Sequence, residues 1–241
     1  MDSRKYVMDA AKRSQTDGNG ASRSKLRLAI GHRWRFLSRY LHEPHTVGAV
    51  SPSSVSLAEA LSKPFQNSHA PASVLEVGAG TGAVTRYLGT ILRDADSLDI
   101  CEINGDFADI LEGDVLTDSR FAPFVARGQV RLFRLPVQEL PDDRKYDFVI
   151  SCLPLTAFEL RDVKDVFKVI RRCLKQGGTF TYFEYLGLRP TSRALAIGKR
   201  RARLHAVSAY LNKNLRKHRF AAKTVLQNFP PARVHHLRFD S

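Results

Sequence analysis

The residues with the clearest capacity for chemistry lie in the short stretch Val74–Gly82, whose sequence is VLEVGAGTG. The stretch ends in small residues, with a glycine at every second position. These glycines are Gly78, Gly80 and Gly82, and Ala79 lies between the first two. Glycine permits positive φ and lets the backbone approach a ligand with no Cβ in the way. A helical pattern follows from Ala83, and the free N–H groups of a helix start favour a phosphate or a carboxylate. The stretch therefore predicts a buried strand, a tight ligand-binding turn and a helix.

Two acidic residues accompany this turn. Glu102 ends the predicted strand Leu98–Cys101, where a carboxylate is well placed to accept hydrogen bonds from ribose hydroxyls. Glu76 precedes the first glycine, a position that is unusual for an acid in NAD sites and that suits the amino group of a methionine moiety. The spacing G-x-G-x-G also differs from the dinucleotide spacing G-x-G-x-x-G. The alternative is a tight strand–helix turn that binds no ligand.

The box EVGAGTG, followed by an acid at the end of the next strand, resembles the nucleotide site of class I S-adenosylmethionine-dependent methyltransferases. The resemblance implies S-adenosylmethionine as the cofactor and S-adenosylhomocysteine as its product. It assigns cofactor binding to Glu76, Gly78, Ala79, Gly80, Gly82, Glu102 and Ile103. In many of these enzymes an Asp after the third strand contacts adenine. Pro136 stands at that position here, so the role falls to the Val137 backbone or the Gln138 side chain.

A second candidate site follows the predicted strand Tyr146–Ile150, because ligands of doubly wound sheets bind at the carboxyl ends of strands. The sequence SCLPL, Ser151–Leu155, resembles the acceptor box of amino methyltransferases, in which backbone carbonyls hold the acceptor nitrogen. The resemblance implies that the Ser151 and Leu153 carbonyls orient an amine beside Pro154, with Ser151 also bordering the cofactor. Leu155 replaces the aromatic residue on which base methylators stack a flipped base. The box thus argues against a nucleic acid substrate, and a turn without chemistry is the alternative.

Two further stretches narrow the resemblance: VGAVSPSS at Val47–Ser54 and NFPPARV at Asn228–Val234. Together with S-x-L-P-L they are similar to bacterial phospholipid N-methyltransferases of the phosphatidylethanolamine type, which share the class I fold with rRNA adenine dimethylases. The resemblance implies methyl transfer to the primary amine of a membrane lipid head group. Phosphatidylethanolamine, converted to methylated derivatives or phosphatidylcholine, is the first choice, and an ornithine-type aminolipid is the second. An RNA or protein methyltransferase and a non-catalytic cofactor-binding protein are the competing interpretations.

An ammonium group has no lone pair, so it must lose a proton before its nitrogen attacks a methyl group. The candidate proton acceptors are His45, Glu184 and Tyr185, and each of them also has a purely structural interpretation. The three cysteines of the chain are scattered without the spacing of metal ligands and are expected to be ordinary buried thiols. We therefore predict no metal site.

The charge of the chain is distributed unevenly. The net charge of +14 divides into +7 in residues 1–42, −5 in residues 43–188 and +12 in residues 189–241. An acidic core with basic ends is typical of a protein that meets an anionic polymer or an anionic membrane. Readers of single-stranded nucleic acid interleave aromatic residues with basic ones, whereas Tyr210 is the one aromatic residue between Thr191 and Arg219. We therefore expect a membrane surface, and neither nucleic acid nor a stable protein partner.

Residues 23–41 combine apolar residues at spacings of three and four with arginines at other positions, and Trp34 lies on or near the apolar stripe. This pattern predicts a basic amphipathic helix of the kind that lies in a membrane interface. The alternative, given equal weight, is that the stripe packs on the core of the protein. We predict that residues 23–41 and a basic insertion at residues 191–219 bind an anionic membrane. The protein would then be cytoplasmic and peripheral on the inner face of the cell membrane.

The elements that position these residues are expected to form one domain, because 241 residues with 43% hydrophobic content bury one substantial core. We predict a disordered polar stretch over residues 1–22 and a methyltransferase domain over residues 23–241, without a membrane-spanning run or a secretory signal. The resemblance implies a Rossmann-like class I α/β fold: a mostly parallel seven-stranded sheet, a terminal antiparallel hairpin and the N-terminal amphipathic helix. We also expect a helix over Asp162–Leu174, a turn at Lys175–Gly178 and a strand over Thr179–Phe183.

Overall fold

A computed structural model describes residues 54–186 and 199–239, including a single seven-stranded sheet. The strands are β1 (Ser73–Val77), β2 (Ser97–Cys101), β3 (Val130–Phe133), β4 (Tyr146–Ser151), β5 (Leu174–Tyr185), β6 (Arg219–Val225) and β7 (Ala232–Arg238). Their order in the sheet is β3-β2-β1-β4-β5-β7-β6. Strands β1 to β5 are parallel, and β7 is antiparallel to both of its neighbours. The predicted sheet with its terminal antiparallel hairpin is confirmed, whereas the predictions for residues 1–22 and 23–41 lie outside the described residues.

Helices lie on both faces of this sheet. Within the described ranges they are α1 (Val55–Gln66), α2 (Ala83–Ile91), α3 (Gly105–Ile110), α4 (Ala122–Ala126), α5 (Leu160–Cys173) and α6 (Lys199–His218). A π-helical turn, Leu111–Val115, continues α3, and two 3-10 turns lie at Val137–Glu139 and Leu155–Ala157. Helices on both faces of a mostly parallel sheet make a doubly wound α/β architecture.

Each face of the sheet has its own hydrophobic core, because successive strand residues point to opposite faces. On one face, Leu61 of α1 and Leu88 of α2 belong to the same buried cluster as Val74 of β1. On the other face, buried residues of α5 and α6 cluster with Leu75, the next residue of β1. The almost unbroken burial of β1 is what a central parallel strand covered on both faces requires.

The junction between α5 and β5 differs from the expected helix, turn and strand. The helix ends at Cys173, and the residues expected to form the turn Lys175–Gly178 belong to β5. The pairing of β4 with β5 shifts between Tyr146 and Phe148, so that β5 carries extra residues opposite this step. A bulge of this kind absorbs residues without ending a strand, and Gly177, at φ +74°, supplies the backbone conformation.

Helix α6 occupies most of the segment expected to be a basic insertion. Its residues Val207, Leu211 and Leu215 are buried in the core shared with α5, so the apolar stripe of this segment packs on the sheet. Basic residues cover its exposed side, among them Arg201, Lys213, Arg216 and Lys217. The segment therefore presents its charge from a helix that belongs to the core of the domain.

Candidate active site

The carboxyl ends of β1, β2 and β4 meet at one edge of the sheet and border an open cleft. Ligands of doubly wound sheets bind at this edge. The lining residues come from the strand ends and from the segments that follow them, including helix α3: Val77, Gly78, Gly80, Cys101, Glu102, Ile103, Phe107, Leu135, Pro136, Val137, Cys152, Leu153 and Pro154. The structure thus brings the glycine turn and the acceptor box to the same cleft.

The glycine turn lies between β1 and α2 and has positive φ at Gly78 (+74°), Gly80 (+58°) and Gly82 (+82°). The N–H of Gly78 donates to the Cys101 carbonyl at 2.8 Å, which joins the turn to the end of β2. A Cβ on Gly80 would have no neighbouring atom within 4 Å. The backbone at Gly80 therefore borders open space that a ligand can occupy.

Glu102 supports the turn from the end of β2. Its Oε2 accepts a hydrogen bond from the Gly80 N–H at 2.8 Å, and its Oε1 accepts one from the Asn104 N–H at 2.8 Å. Burial raises the pKa of this carboxyl above its ordinary value, while the bonds from backbone N–H groups oppose that rise. Because each carboxylate oxygen accepts more than one hydrogen bond, Glu102 retains acceptor capacity toward the cleft that it lines.

Glu76 lies behind the turn and is fully buried, outside the cleft lining. Its Oε2 accepts a hydrogen bond from the Thr85 hydroxyl at 2.8 Å, and the Cys152 thiol lies 3.8 Å from its Oε1. Burial raises the pKa of this carboxyl to about 7, and the charge of Glu102 adds to the effect. Glu76 thus ties β1 to α2 and to the residue after β4, and direct contact with a ligand stays a prediction.

The far wall of the cleft follows β3. Leu135, Pro136 and Val137 line it, so the loop expected to meet adenine is at the cleft. Gln138 is not a lining residue, but its Oε1 is buried and has no hydrogen-bond partner among the described residues. A buried amide oxygen of this kind favours a ligand that donates a hydrogen bond.

The acceptor box contributes Leu153 and Pro154 to the lining, whereas Ser151 is fully buried behind them. The Ser151 Oγ accepts from the Leu153 N–H at 3.4 Å. The Leu153 carbonyl accepts from the Leu155 N–H at 2.9 Å, which leaves that oxygen one free lone pair. Leu155 is buried in the core, so it offers no stacking face to a base.

The candidate proton acceptors are not brought to the cleft lining. Tyr185 is partly buried, and burial raises the pKa of its phenol to about 12, so the group is protonated at neutral pH. Glu184 is buried and its Oε1 accepts from the Tyr182 hydroxyl at 3.4 Å. His45 lies outside the described residues. The role of a proton acceptor therefore stays a prediction for these residues.

Several lining residues had not been singled out from the sequence as site residues: Val77, Cys101, Phe107, Leu135 and Cys152. They are apolar or weakly polar residues at strand ends and in the following segments. The signal that can identify Cys101 and Cys152 is their position, since each stands at or next to the last residue of a parallel strand. Phe107 and Leu135 carry no such signal.

Within residues 54–186 and 199–239, none of the helices combines the length and the apolar character needed to cross a bilayer. The same residues contain no group of three or more His, Cys, Asp or Glu side chains arranged to hold a metal ion.

Comparison with known proteins gives a consistent picture. Residues 75–180 match the family model described as a methyltransferase domain. Over 147 residues the chain is 28% identical to the Ornithine lipid N-methyltransferase of Singulisphaera acidiphila, covering 60% of this chain and 73% of that protein.

Among solved structures, the chain is similar to an S-adenosylmethionine-dependent methyltransferase of Clostridium acetobutylicum, with a TM-score of 0.57 and 14% identity over 84% of this chain and 98% of that one. It is also similar to the 1,6-didemethyltoxoflavin-N1-methyltransferase of Burkholderia thailandensis, solved with S-adenosylhomocysteine bound, with a TM-score of 0.55 and 18% identity over 89% of each chain. At these identities the two structures establish a shared fold.

Proposed function

We propose that this chain, a class I methyltransferase that uses S-adenosylmethionine, methylates the free amine of an ornithine-type aminolipid. The observation that carries the proposal is the 28% identity over 147 residues with the Ornithine lipid N-methyltransferase of S. acidiphila. The sequence motifs make phosphatidylethanolamine the first candidate substrate and an ornithine-type lipid the second. The similarity to the Ornithine lipid N-methyltransferase favours the ornithine-type lipid. Phosphatidylethanolamine is retained as the comparison substrate because the S-x-L-P-L and N-x-P-P boxes suggested it.

The chemistry of the cleft fits the cofactor. The open space beside Gly80 admits a ligand, and Glu102 has acceptor capacity for ribose hydroxyls. The unpartnered Oε1 of Gln138 suits the amino group of adenine. We assign cofactor binding to Gly78, Ala79, Gly80, Gly82, Glu102, Ile103, Val137 and Gln138, with the buried Glu76 and Ser151 holding the turn and the end of β4 from behind. S-adenosylmethionine bound there supplies an electrophilic methyl group on a positively charged sulfur.

The residues of the chain prepare the amine for attack. Apolar side chains at the cleft, among them Leu153, Pro154 and Phe107, exclude water from the nitrogen. The free lone pair of the Leu153 carbonyl, together with the Ser151 carbonyl, orients one N–H of the amine. After the ammonium loses one proton to water at the cleft mouth, the nitrogen forms a bond to the methyl carbon as the bond between carbon and sulfur breaks.

A lipid substrate requires access to a membrane surface. We assign this access to residues 23–41 and to the basic segment 191–219, in which Lys213 and Arg216 are exposed on α6. Each basic residue near an anionic leaflet contributes about 1 kcal/mol of attraction. The protein would then be peripheral on the inner, cytoplasmic face of the cell membrane.

The experiment that tests the function uses S-adenosylmethionine with a radiolabelled methyl group. The full chain is incubated separately with purified ornithine lipid, with phosphatidylethanolamine and with total RNA, and each product is extracted and counted. We expect label in the ornithine lipid, at a rate well above that in phosphatidylethanolamine, and none in RNA.

The Glu102→Ala variant is the control, because loss of the carboxylate should lower the signal together with cofactor affinity. Label in phosphatidylethanolamine alone would move the substrate assignment to that lipid. Label in RNA alone would overturn the lipid proposal.

A further inference from the structure

Large apolar side chains are exposed at one corner of the domain. Among the described residues, the exposed large hydrophobic side chains are Val55, Val125, Leu186, Phe220, Leu226 and Phe229. Four of these, Val55, Leu186, Leu226 and Phe229, lie in or next to the loop that joins β6 to β7, and we call them the apolar corner. The exposed fraction is 74% for Val55 and 71% for both Leu226 and Phe229.

Hydrogen bonds to the loop hold the apolar corner together. The buried side chain of Asn228 accepts from the Ser54 N–H through Oδ1 at 3.0 Å and donates from Nδ2 to the Pro230 carbonyl at 2.7 Å. The Leu186 N–H donates to the Pro231 carbonyl at 2.7 Å. The start of α1 and the end of β5 are therefore fixed to the same loop, and the exposed side chains project from a braced surface.

The apolar corner lies on the same edge of the sheet as the cleft. The last residue of β5, Tyr185, pairs with Ala232 at the start of β7, so the loop between β6 and β7 follows the carboxyl ends of the parallel strands. The same edge carries Gly78 after β1 and Cys152 after β4, both in the cleft lining. A flat surface that met the apolar corner would face the cleft as well.

Basic side chains flank the apolar corner. Lys223 and Arg233 are exposed and lie within three pairs of the loop in the β6–β7 ladder, where Val225 pairs with Ala232 and Lys223 pairs with Val234. Protruding apolar side chains with cations beside them match a bilayer interface, which offers hydrocarbon beneath a layer of anionic head groups.

We propose that the apolar corner inserts into the surface of an anionic bilayer and turns the cleft toward the lipid head groups. This inference rests on the proposed function, because that function requires a membrane lipid as the substrate. It adds which part of the folded domain contacts the bilayer. The contact is separate from residues 23–41, because it is built from residues of the described domain.

The test measures partition of the full chain onto vesicles of phosphatidylglycerol and phosphatidylcholine. The variant replaces two side chains of the loop, Leu226→Ser with Phe229→Ser. Phe220→Ser is the matched control, since Phe220 is also an exposed aromatic residue on the same hairpin but lies at the opposite end of β6. We expect the double variant to bind roughly tenfold or more weakly, because two large apolar side chains no longer leave water, and the control to bind as the original chain does.

Two further measurements separate the possible outcomes. The loss in the double variant should persist in high salt, whereas a loss in Lys223→Ser with Arg233→Ser should disappear there, because salt screens charges. Thermal unfolding and cofactor affinity should match the original chain in every variant. Vesicle binding by the double variant equal to that of the original chain would overturn the inference. If the double variant also had a lower molecular mass than the original chain on gel filtration, the corner would be identified as a contact between copies of the chain. Vesicle binding that depends on the corner, without methylation of any lipid, would leave the inference standing and overturn the proposed function.

Discussion

The three glycines of the ligand-binding turn are needed for different reasons. A Cβ on Gly78 would lie 2.3 Å from Cδ2 of Leu153, so this glycine lets the acceptor loop pack against the turn. A Cβ on Gly82 would lie 2.9 Å from side-chain atoms of both Leu111 and Val115. Gly80 has open space instead. Substitutions at Gly78 and Gly82 should therefore disturb packing, and a substitution at Gly80 should act on the ligand.

Gly80→Val is the sharpest test of the cofactor site. Valine at φ +58° is strained by about 1–2 kcal/mol, but its Cβ would have no neighbouring atom within 4 Å, so the variant should fold. Its side chain would occupy the path of the methionine part of the cofactor and abolish binding. Glu102→Ala should weaken binding by about tenfold, in line with the loss of a hydrogen bond to a charged group. Isothermal calorimetry measures both, and unchanged affinity in folded Gly80→Val would remove the cofactor from this turn.

The buried carboxyl of Glu76 should make the stability of the protein depend on pH. The pKa of the folded carboxyl, about 7, lies above its ordinary value of 4.5, so the folded state holds this proton more tightly than the unfolded state does. The contribution to stability is fully present below pH 4.5 and is lost as the pH rises to about 7. Glu76→Gln keeps the shape and removes the charge, so it should stabilise the protein at pH 8 by up to about 3 kcal/mol.

Urea unfolding at pH 5 and pH 8 provides the measurement for Glu76→Gln. The free energy of unfolding should fall between these pH values in the original chain and change less in the variant. An identical fall in both proteins would assign the pH dependence to other groups.

Backbone geometry and charge limit the choice of residue at three positions of the cleft lining. Gly78, Gly80 and Glu102 are at the cleft, because positive φ and a carboxylate at a strand end leave clear patterns. Phe107 and Leu135 could not be found in this way, since an apolar residue has the same pattern in a core and in a cleft wall. The burial of Glu76 was also beyond the sequence, because it depends on Thr85 and Cys152 packing around it.

At the level of elements, the acceptor loop after β4 is positioned by its neighbours. The Cys152 N–H donates to the Val77 carbonyl at 2.9 Å, and the Leu155 N–H donates back to Leu153. The loop is therefore fixed at both ends while Leu153 and Pro154 line the cleft. This arrangement predicts that the loop governs access of the amine more than it holds the cofactor.

Pro154→Ala tests whether the acceptor loop governs access of the amine separately from binding of the cofactor. The change frees a backbone dihedral within the loop, so we expect kcat to fall about tenfold while cofactor affinity changes less than twofold, a split typical of lost orientation. Pro141→Ala is a matched control, because Pro141 is exposed and outside the cleft lining. An equal loss of turnover and of cofactor affinity in Pro154→Ala would take the loop out of the acceptor role.

The elements themselves were largely predictable, with two informative differences. The predicted strand Tyr146–Ile150 agrees with β4, Tyr146–Ser151, to within one residue, because mostly apolar residues between Lys145 and Ser151 mark it. The expected turn at Lys175–Gly178 is part of β5, because β5 pairs with β4 on both sides of these residues, at Leu174 and again from Thr179. The sequence predicts residues 191–219 to be a basic insertion, whereas α6 packs against α5 and buries its apolar side chains in the core.

At the scale of the whole molecule, the sign of the charge changes along the chain. Residues 43–188 carry −5, whereas residues 1–42 carry +7 and residues 189–241 carry +12. Because α6, β6 and β7 lie within residues 189–241, part of that positive charge belongs to the folded domain. Attraction to an anionic leaflet must therefore come from residues 1–42, from residues 189–241 and from the apolar corner. This division predicts that membrane affinity and cofactor affinity can be changed independently.

Deleting residues 1–41 tests whether membrane affinity can be changed without changing cofactor affinity. We expect binding to anionic liposomes to weaken at least tenfold. The deletion removes the apolar stripe that contains Trp34, and it removes the arginines, whose attraction to the leaflet is screened beyond about 10 Å at 0.1 M salt. Cofactor affinity should be unchanged, because the glycine turn is outside the deletion. Trp34→Glu with Leu37→Glu should have the same effect as the deletion.

Flotation at low and high salt measures the result. If the truncated chain floats with liposomes as well as the full chain does, residues 23–41 pack on the domain. The basic segment 191–219 and the apolar corner would then hold the membrane without them.

The β6–β7 loop holds the two residues that border residues 1–53 and 187–198. The Ser54 N–H donates to Asn228 and the Leu186 N–H donates to Pro231, so both of these residues are bound to the same loop. When one of these basic segments meets a leaflet, the other is tethered nearby at a high effective concentration, of the order of millimolar for short linkers. Their combined affinity should exceed the affinity of either segment alone, and its dependence on salt should be steeper than that of either one.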